Sequence, residues 1–396
     1  MLDCAAMSSP SAQPQTSPTP ILDRQQPMPQ IEGKAARARA TLAIVVLWMV
    51  IAIVAWFLFA HRSEDIFGWM ARIAPHDPAS ALLIIPFALL AGFVAAAIHE
   101  TAHAVVGVLV GFSFNSLRIG RLQFDRPFRV SLYKGRGTGS GGWASLFPVT
   151  HDGLIWRATA MLLAGPLSNL LSIAVLLALP YVKGSFSVLF IYISALLGVM
   201  NLIPFRSRAV ISDGGRILML VQNRARGERW LAMLKLIQEM RTGPPEQMSP
   251  EFIARAIAIE DNSPDTVVAH AIAYAAAFWQ RKDDEAARLL ETCLRHSNLA
   301  APSQRQGLAS DAAVFQARRR RRIDLAQQWL AELPQKIEFA WLRPRAEAAI
   351  LEAQGDLSGA DKKLDEVQKL ISANPNQALR EMSLRGVRRW RSELQG

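Results

Sequence analysis

Cysteine is nearly absent from this 396-residue chain, which contains only Cys4 and Cys293. The two residues lie far apart in unrelated contexts, so the sequence encodes neither a disulfide framework nor a cysteine metal site. Glycines cluster between residues 135 and 142, but a phosphate loop of the form G-x-x-x-x-G-K-S/T is lacking, which argues against nucleotide binding there. No signal peptide precedes the first apolar segment, so we expect that segment to remain as an uncleaved anchor.

Charge is unevenly distributed along the chain. Hydrophobic residues make up 51% of the sequence and charged residues 19%, with a formal net charge of +11. This mixture predicts a membrane part joined to a soluble part. The positive excess fits either nucleic acid or anionic lipid. The run of arginines at residues 318–322 has no aromatic platform or reading motif beside it, so we expect a solvated helix face and no nucleic-acid partner.

The N-terminal region combines a polar tail with a long apolar run. Its first 33 residues are rich in Ser, Pro, Gln and Ala, and residues 1–38 are predicted to be a disordered tail. Residues 41–60 then contain no charge over 20 residues, which is long enough to cross a bilayer. Basic residues precede this run, so the positive-inside rule places the N-terminus in the cytoplasm.

Three further apolar runs follow, at about residues 81–112, 155–182 and 186–205. With the first run they predict an all-α polytopic membrane protein with about four transmembrane helices within residues 39–215. The basic segment between residues 113 and 155 belongs on the cytoplasmic side and alternates as a small β-hairpin or loop insert would. Such a segment is either a simple linker or a strand edge that pairs with an extended substrate.

The C-terminal part is predicted to be soluble and helical. Residues 216–250 form a basic amphipathic helix and a linker, suited to an anionic lipid surface. Residues 251–396 are predicted to be a TPR-like helical region that could bind a cytoplasmic protein partner. This prediction depends on Ala/Leu pairs that recur within helical patterns, namely Ala286/Leu290, Ala326/Leu330 and Ala360/Leu364.

An H-E-x-x-H motif at residues 99–103 ends the uncharged run of residues 81–98. On a helix, His99 and His103 share a face and can offer two imidazole nitrogens to one metal ion. Glu100 lies beside them, where its carboxylate can take a proton from an activated water molecule. A metal-free, hydrogen-bonded histidine pair is the alternative, but hydrocarbon offers no water to satisfy these side chains, which favours a metal site.

Two more polar residues accompany the later apolar runs. Asn169 follows a Gly-Pro pair that interrupts the third run. It either packs against another helix or donates a hydrogen bond to a polarised carbonyl in an active site. Asp213 precedes two glycines and is the natural third metal ligand. Alternatively, Asp213 caps the helix that follows it.

The three motifs stand in order on three predicted spans: H-E-T-A-H at 99–103, G-P-L-S-N at 165–169, and N-L-I-P followed by S-D-G-G at 201–215. This arrangement resembles the site-2 protease family of intramembrane zinc metalloproteases over about residues 80–220. The segment between the Asn-Leu-Ile-Pro and Asp-Gly-Gly motifs is longer than is usual in that family.

The resemblance implies roles for five residues. His99, His103 and Asp213 would bind Zn²⁺. Glu100 would be the general base, and Asn169 would sit against the substrate carbonyl. The expected activity is that of a metalloendopeptidase that cleaves a single-pass membrane-protein substrate in or near its transmembrane segment.

The expected location is a cell membrane, the bacterial inner membrane in particular, with both termini cytoplasmic. Two other classes of function stay open at this point. One is a catalytically inactive membrane scaffold whose helical region recruits partners, and the other is a transport or sensor protein that uses the polar cluster for ions. The intact Glu100 and Asp213 argue against both.

Overall fold

The computed structural model describes residues 21–30, 78–126, 129–132, 142–150, 152–179, 185–205, 211–222, 224–334, 337, 339–374 and 377–395. These residues form thirteen α-helices and a small antiparallel sheet, so the molecule is mostly helical. The predicted first span, residues 41–60, lies outside the described residues.

Three apolar helices come first: α1 (Pro78–Leu109), α2 (Leu154–Ala178) and α3 (Ser185–Leu202). Two of them contain stretches long and apolar enough to cross a membrane, Ile84–Leu109 and Leu154–Ala178, whereas the apolar part of α3 is shorter. Only 17% and 28% of the most apolar windows of α1 and α2 are buried within the protein. The core helix of a soluble protein would be mostly buried, so the outer faces of α1 and α2 suit contact with lipid.

The insert between α1 and α2 is larger than the predicted hairpin. Four strands, β1 (Phe112–Ile119), β2 (Leu122–Asp125), β3 (Arg129–Leu132) and β4 (Gly142–Pro148), form an antiparallel sheet in the order β3-β2-β1-β4. The first turn falls at Gly120, whose φ of 57° is left-handed and favours glycine. A tight turn at this position separates β1 from β2.

The basic region after α3 also differs from its prediction. A single amphipathic helix is expected there, but two are present, α4 (Asp213–Gln222) and α5 (Arg224–Thr242). Their buried side chains, among them Leu220 and Leu231, pack against β1, β4 and the start of α2. The apolar face is thus covered by protein, because the sheet supplies an apolar surface that the local sequence does not reveal.

The C-terminal region begins with α6 (Pro250–Ile257) and continues as helical hairpins. The hairpins are α7 (Pro264–Trp279) with α8 (Asp283–Arg295), α9 (Pro302–Arg318) with α10 (Ile323–Ala331), and α11 (Leu342–Gln354) with α12 (Leu357–Ser372), and α13 (Gln377–Gln395) follows. Ala286, Ala326 and Ala360 are fully buried, each near the start of the second helix of its hairpin. Their small side chains let paired helices approach closely, as the recurrence of these alanines predicts.

The arginines at residues 318–322 are solvated only in part, since Arg321 and Arg322 are exposed and the other three are not. Arg318 is buried and binds Glu352 at 2.8 Å and Glu393 at 2.9 Å. Arg320 binds Asp23 at 2.6 Å. The prediction is wrong for these two side chains because distant parts of the chain supply carboxylates that pair with them.

Residues 21–30 correct the prediction of a disordered tail over residues 1–38. Ile21, Leu22 and Met28 are buried in the main hydrophobic core of the C-terminal region. The average composition of the tail is polar, but these three apolar side chains find a pocket far away in the sequence. The remainder of the predicted tail lies outside the described residues.

Candidate metal centre

His99 and His103 lie one turn apart on the buried face of α1. Their Nε2 atoms are 3.1 Å apart. The Nδ1 atom of His103 lies 2.7 Å from the carbonyl oxygen of Met161 on α2. Because a carbonyl only accepts, Nδ1 is the donor in this hydrogen bond, and Nε2 of the neutral ring keeps its lone pair. This contact orients His103 as metal-binding histidines usually are oriented.

Asp213 reaches the histidine pair from the start of α4. Its Oδ2 atom lies 3.3 Å from Nε2 of His99 and 3.4 Å from Nε2 of His103. An aspartate carboxyl has an ordinary pKa of about 3.9, well below neutral pH. The group is therefore ionised, as a metal ligand must be.

Helix capping, the other role open to Asp213, is performed by its neighbour. The hydroxyl of Ser212 accepts a hydrogen bond from the backbone N–H of Gly215 at 3.0 Å and another from Phe205 at 3.0 Å. Ser212 thus satisfies an N–H group at the start of α4. The Asp213 side chain is left to face the imidazoles, despite the longer segment that precedes it.

The three atoms have the spacing of ligands around one ion. Zinc–nitrogen bonds of about 2.0–2.1 Å at tetrahedral angles place ligand atoms about 3.3 Å apart. The corresponding distances among His99, His103 and Asp213 are 3.1, 3.3 and 3.4 Å. Two imidazole nitrogens and a carboxylate that converge in this way can bind a cation. The residues therefore fit a divalent metal with three protein ligands and one open coordination position.

Gly165 allows α2 to pass directly beside the histidines. A Cβ atom at this position would lie 2.7 Å from Nε2 of His99 and would also collide with the ring of His103. Any side chain here would fill the space in which these residues could hold an ion. The Gly-Pro pair was expected to interrupt the span, yet α2 is one continuous helix with Pro166 inside it, so the glycine matters for close approach.

Glu100 lies beside the three candidate ligands and contacts strand β4. Glu100 lines the same cavity as the three candidate ligands. The backbone of Ala144 on β4 hydrogen-bonds to its carboxylate. Gly142 is so close that a Cβ atom there would lie 2.6 Å from Oε1 of Glu100. Strand β4 therefore fixes Glu100 beside the metal ligands.

The cavity above these groups has a volume of about 1100 Å³. Its walls come from α1, α2, α3, β4 and α5. Most of the lining is apolar and includes Phe93, Trp143, Trp230 and Ile237. A mostly apolar cavity with a few polar groups at one place is the usual form of a substrate site.

Asn169 is the one predicted site residue that does not line this cavity. Its side chain is fully buried on α2, one turn beyond Gly165. Neither its nitrogen nor its oxygen has a hydrogen-bond partner in the part of the chain that the structure describes. A buried, unpaired amide is costly. A role against a substrate carbonyl stays a prediction for this residue.

Four site features could not be found by sequence reasoning. The Met161 carbonyl, the Ala144 backbone and the close approach at Gly142 involve main-chain positions, which carry no side-chain motif. The α5 side chains Trp230 and Ile237 have the spacing of an amphipathic helix, which gives no sign of a cavity wall.

Comparison of the chain with protein-family models, with curated proteins and with solved structures found no match. The interpretation of the site therefore depends on its motifs and its geometry.

Proposed function

We propose that this chain is an intramembrane zinc metalloprotease of the site-2 protease type. In this proposal it hydrolyses a peptide bond in or near the transmembrane segment of a single-pass membrane protein. The observation that carries the proposal is the convergence of His99, His103 and Asp213 within reach of one ion, with Glu100 beside them. This cluster lies among helices whose apolar outer faces are exposed.

The chemistry follows from the ligands and the neighbouring carboxylate. Zinc held by three protein ligands supplies polarisation of a peptide carbonyl and activation of a water molecule. Glu100 accepts a proton from the attacking water and delivers it to the departing amine. Met161 holds His103 in the tautomer that leaves Nε2 free, and Ala144 holds the Glu100 carboxylate in position.

The substrate must be at least partly unwound before cleavage. The carbonyls of a transmembrane helix are hydrogen-bonded within the helix and hidden from attack. Within the described residues, β4 pairs with β1 on one side only, and it lines the cavity next to Glu100. An extended substrate segment can add to this free edge by main-chain hydrogen bonds. The proposal therefore assigns β4 to substrate binding.

The position of residues 21–30 supports a protein with four spans. These residues contact the C-terminal helical region, so both must lie on the same side of the membrane. Helix α3 has 18 residues, about 27 Å, close to the thickness of the hydrocarbon core. Helices α1, α2 and α3 would supply three crossings, and termini on the same side would then require a fourth crossing before α1. The apolar run at residues 41–60 would supply it.

The remaining parts of the proposal concern surroundings and partners. The excess of basic residues places both termini in the cytoplasm, and a bacterial inner membrane is the proposed location. Basic side chains of the region 216–250 would contact anionic lipid. The helical region would bind a cytoplasmic protein partner.

The test uses the full chain, purified in detergent with zinc and incubated with a panel of single-pass membrane proteins. Wild type is expected to cleave at least one of them. Glu100→Gln is expected to bind zinc normally and to cleave about 10²- to 10⁴-fold more slowly, the usual contribution of a general base. Equal cleavage by the two proteins would remove Glu100 from the mechanism, and no cleavage of any substrate by wild type would favour the scaffold.

A further inference from the structure

Residues 21–24 form a tight turn that packs into the C-terminal helical region. The backbone N–H of Arg24 donates to the carbonyl of Ile21 at 3.0 Å, and Arg24 has a left-handed φ of 59°. Leu22 points into the core and is fully buried. The turn thus presents one apolar side chain to the helices while its main chain remains available for hydrogen bonds.

Three buried polar side chains from three helices bind the main chain of this turn. The carboxylate of Glu291 on α8 accepts from the N–H groups of Ile21 at 3.3 Å and Leu22 at 2.9 Å. The side-chain amide of Gln316 on α9 donates to the Leu22 carbonyl at 2.9 Å. The indole N–H of Trp329 on α10 donates to the same carbonyl at 2.9 Å.

These polar groups lie deep inside the helical region. The exposed fraction is 4% for Glu291 and 0% for both Gln316 and Trp329. Among the described residues, the hydrogen bonds recorded for the Glu291 carboxylate and the Trp329 indole all go to the turn. A buried carboxylate and a buried indole N–H left without partners would be destabilising. The helical bundle is therefore built around a peptide main chain.

The side chains of the turn are recognised as well. Asp23 pairs with Arg320 at 2.6 Å and accepts from Gln316 at 3.0 Å. Arg24 pairs with Glu332 at 2.7 Å and lies over the ring of Trp329. These contacts thus favour a segment with an aliphatic residue, a leucine, an acidic residue and a basic residue in that order.

We propose that the groove formed by Glu291, Gln316 and Trp329 is a peptide-binding site whose ligand is the chain's own Ile21–Arg24 segment. The bound segment ties the N-terminal tail to the C-terminal region in cis. Because the segment is tethered, its effective concentration excludes the same peptide from binding in trans. This inference does not depend on the zinc site.

The test uses a fluorescent peptide of residues 19–30 and the full chain in detergent. The host proteins are wild type and Leu22→Asp, which puts a charge into the apolar pocket and releases the tethered copy. The peptide is expected to bind Leu22→Asp saturably and about tenfold or more tightly than wild type. A peptide that itself carries Leu22→Asp is expected not to bind. Absence of saturable binding to the released groove, or equal binding of the two peptides, would overturn the proposal.

A second measurement needs no change at Leu22, in case that variant does not fold. Hydrogen exchange of the Ile21 and Leu22 amides is compared in wild type and in Glu291→Gln. Both amides are expected to be protected in wild type and to exchange about tenfold faster in the variant, since the neutral amide is a weaker acceptor than the carboxylate. Exchange at the rate of an unprotected peptide in wild type would contradict the proposal.

Discussion

The apolar helices α1 to α3 and the C-terminal helical region differ in how their buried polar groups are satisfied. Ionic side chains of the helical region pair with other protein groups, as Arg318 does with Glu352 and Asp261 does with Arg229 of the preceding helix α5. On α1 and at the start of α4, His99, His103 and Asp213 point at one another around a common centre. Paired ionic side chains stabilise a fold, whereas converging ligand atoms form a candidate binding site for an ion. Matched variants in the two regions therefore distinguish residues needed for zinc binding and cleavage from residues needed for stability.

The largest contrast is expected between two buried histidines. His103→Ala removes a metal ligand and should lower cleavage about 10³-fold or more, because a catalytic metal supplies several kcal/mol of transition-state stabilisation. His270 is also buried, and its Nδ1 bonds to the carbonyl of Thr266 at 2.8 Å, but among the described residues it belongs to no group that could hold a metal ion. His270→Ala should leave cleavage per folded molecule unchanged. Equal losses in cleavage assays of the two variants would contradict the contrast.

The next effect concerns the stability that an ion pair between α5 and the C-terminal helical region provides. Arg229 is fully buried and pairs with Asp261 at 2.9 Å. Arg229→Met removes the buried partner of that carboxylate and leaves only the more exposed Arg226, at 2.8 Å, so it should reduce the free energy of unfolding by about 3 kcal/mol. Denaturant unfolding followed by tryptophan fluorescence measures this loss. Zinc content per folded chain should not change, and adding Asp261→Asn should recover part of the stability. A stable single variant would show that the pair contributes little.

A smaller effect is expected from a methyl group placed beside the histidines. Gly165→Ala introduces a Cβ atom into the space next to His99 and His103 and should weaken zinc binding about 10- to 100-fold, as displaced metal environments do. Gly307→Ala is the matched control, because a Cβ atom there meets nothing within 4 Å. The control should keep zinc affinity and gain a little stability. Competition with a chelator of known affinity measures the zinc affinity of both variants. Unchanged zinc affinity in Gly165→Ala would contradict the close approach of α2 to the histidines.

The smallest effect is the pH dependence of stability that arises from Asp261 in the C-terminal helical region. Burial raises the pKa of Asp261, but hydrogen bonds from Arg229, Ser263 and Thr266 outweigh it and place the pKa well below its ordinary value. A carboxyl with a lowered folded-state pKa stabilises the protein above its unfolded-state pKa of about 3.9, and this stability is lost as the pH falls further. The melting temperature of wild type should therefore fall more steeply below about pH 4 than the melting temperature of Asp261→Asn. The exposed Asp284→Asn serves as the control and should follow wild type.

Sequence reasoning succeeded where the signal is local. The i, i+4 spacing of His99 and His103 places both on one face of a helix, and the helix is present. The small residues Ala286 and Ala326 recur at equivalent places in a helical hairpin, and those hairpins are present. Apolar length likewise indicated the helices α1 and α2, which could cross a membrane.

Sequence reasoning failed where a partner comes from far along the chain. Residues 21–30 are locally polar, and only the pocket around Glu291 and Trp329 makes them ordered. The amphipathic pattern near residue 230 predicts a lipid-facing helix, but the sheet covers its apolar face. For Asn169, no local rule distinguishes an amide that lines a cavity from one buried beside it.

The central claim is that three side chains from two distant segments hold one zinc ion. The most direct measurement is metal content by mass spectrometry of purified wild type, Asp213→Ala and Glu100→Gln after incubation with zinc and removal of free metal. The account predicts one zinc per chain in wild type and Glu100→Gln, and none in Asp213→Ala. Wild type without zinc, or Asp213→Ala that retains a full equivalent, would contradict it.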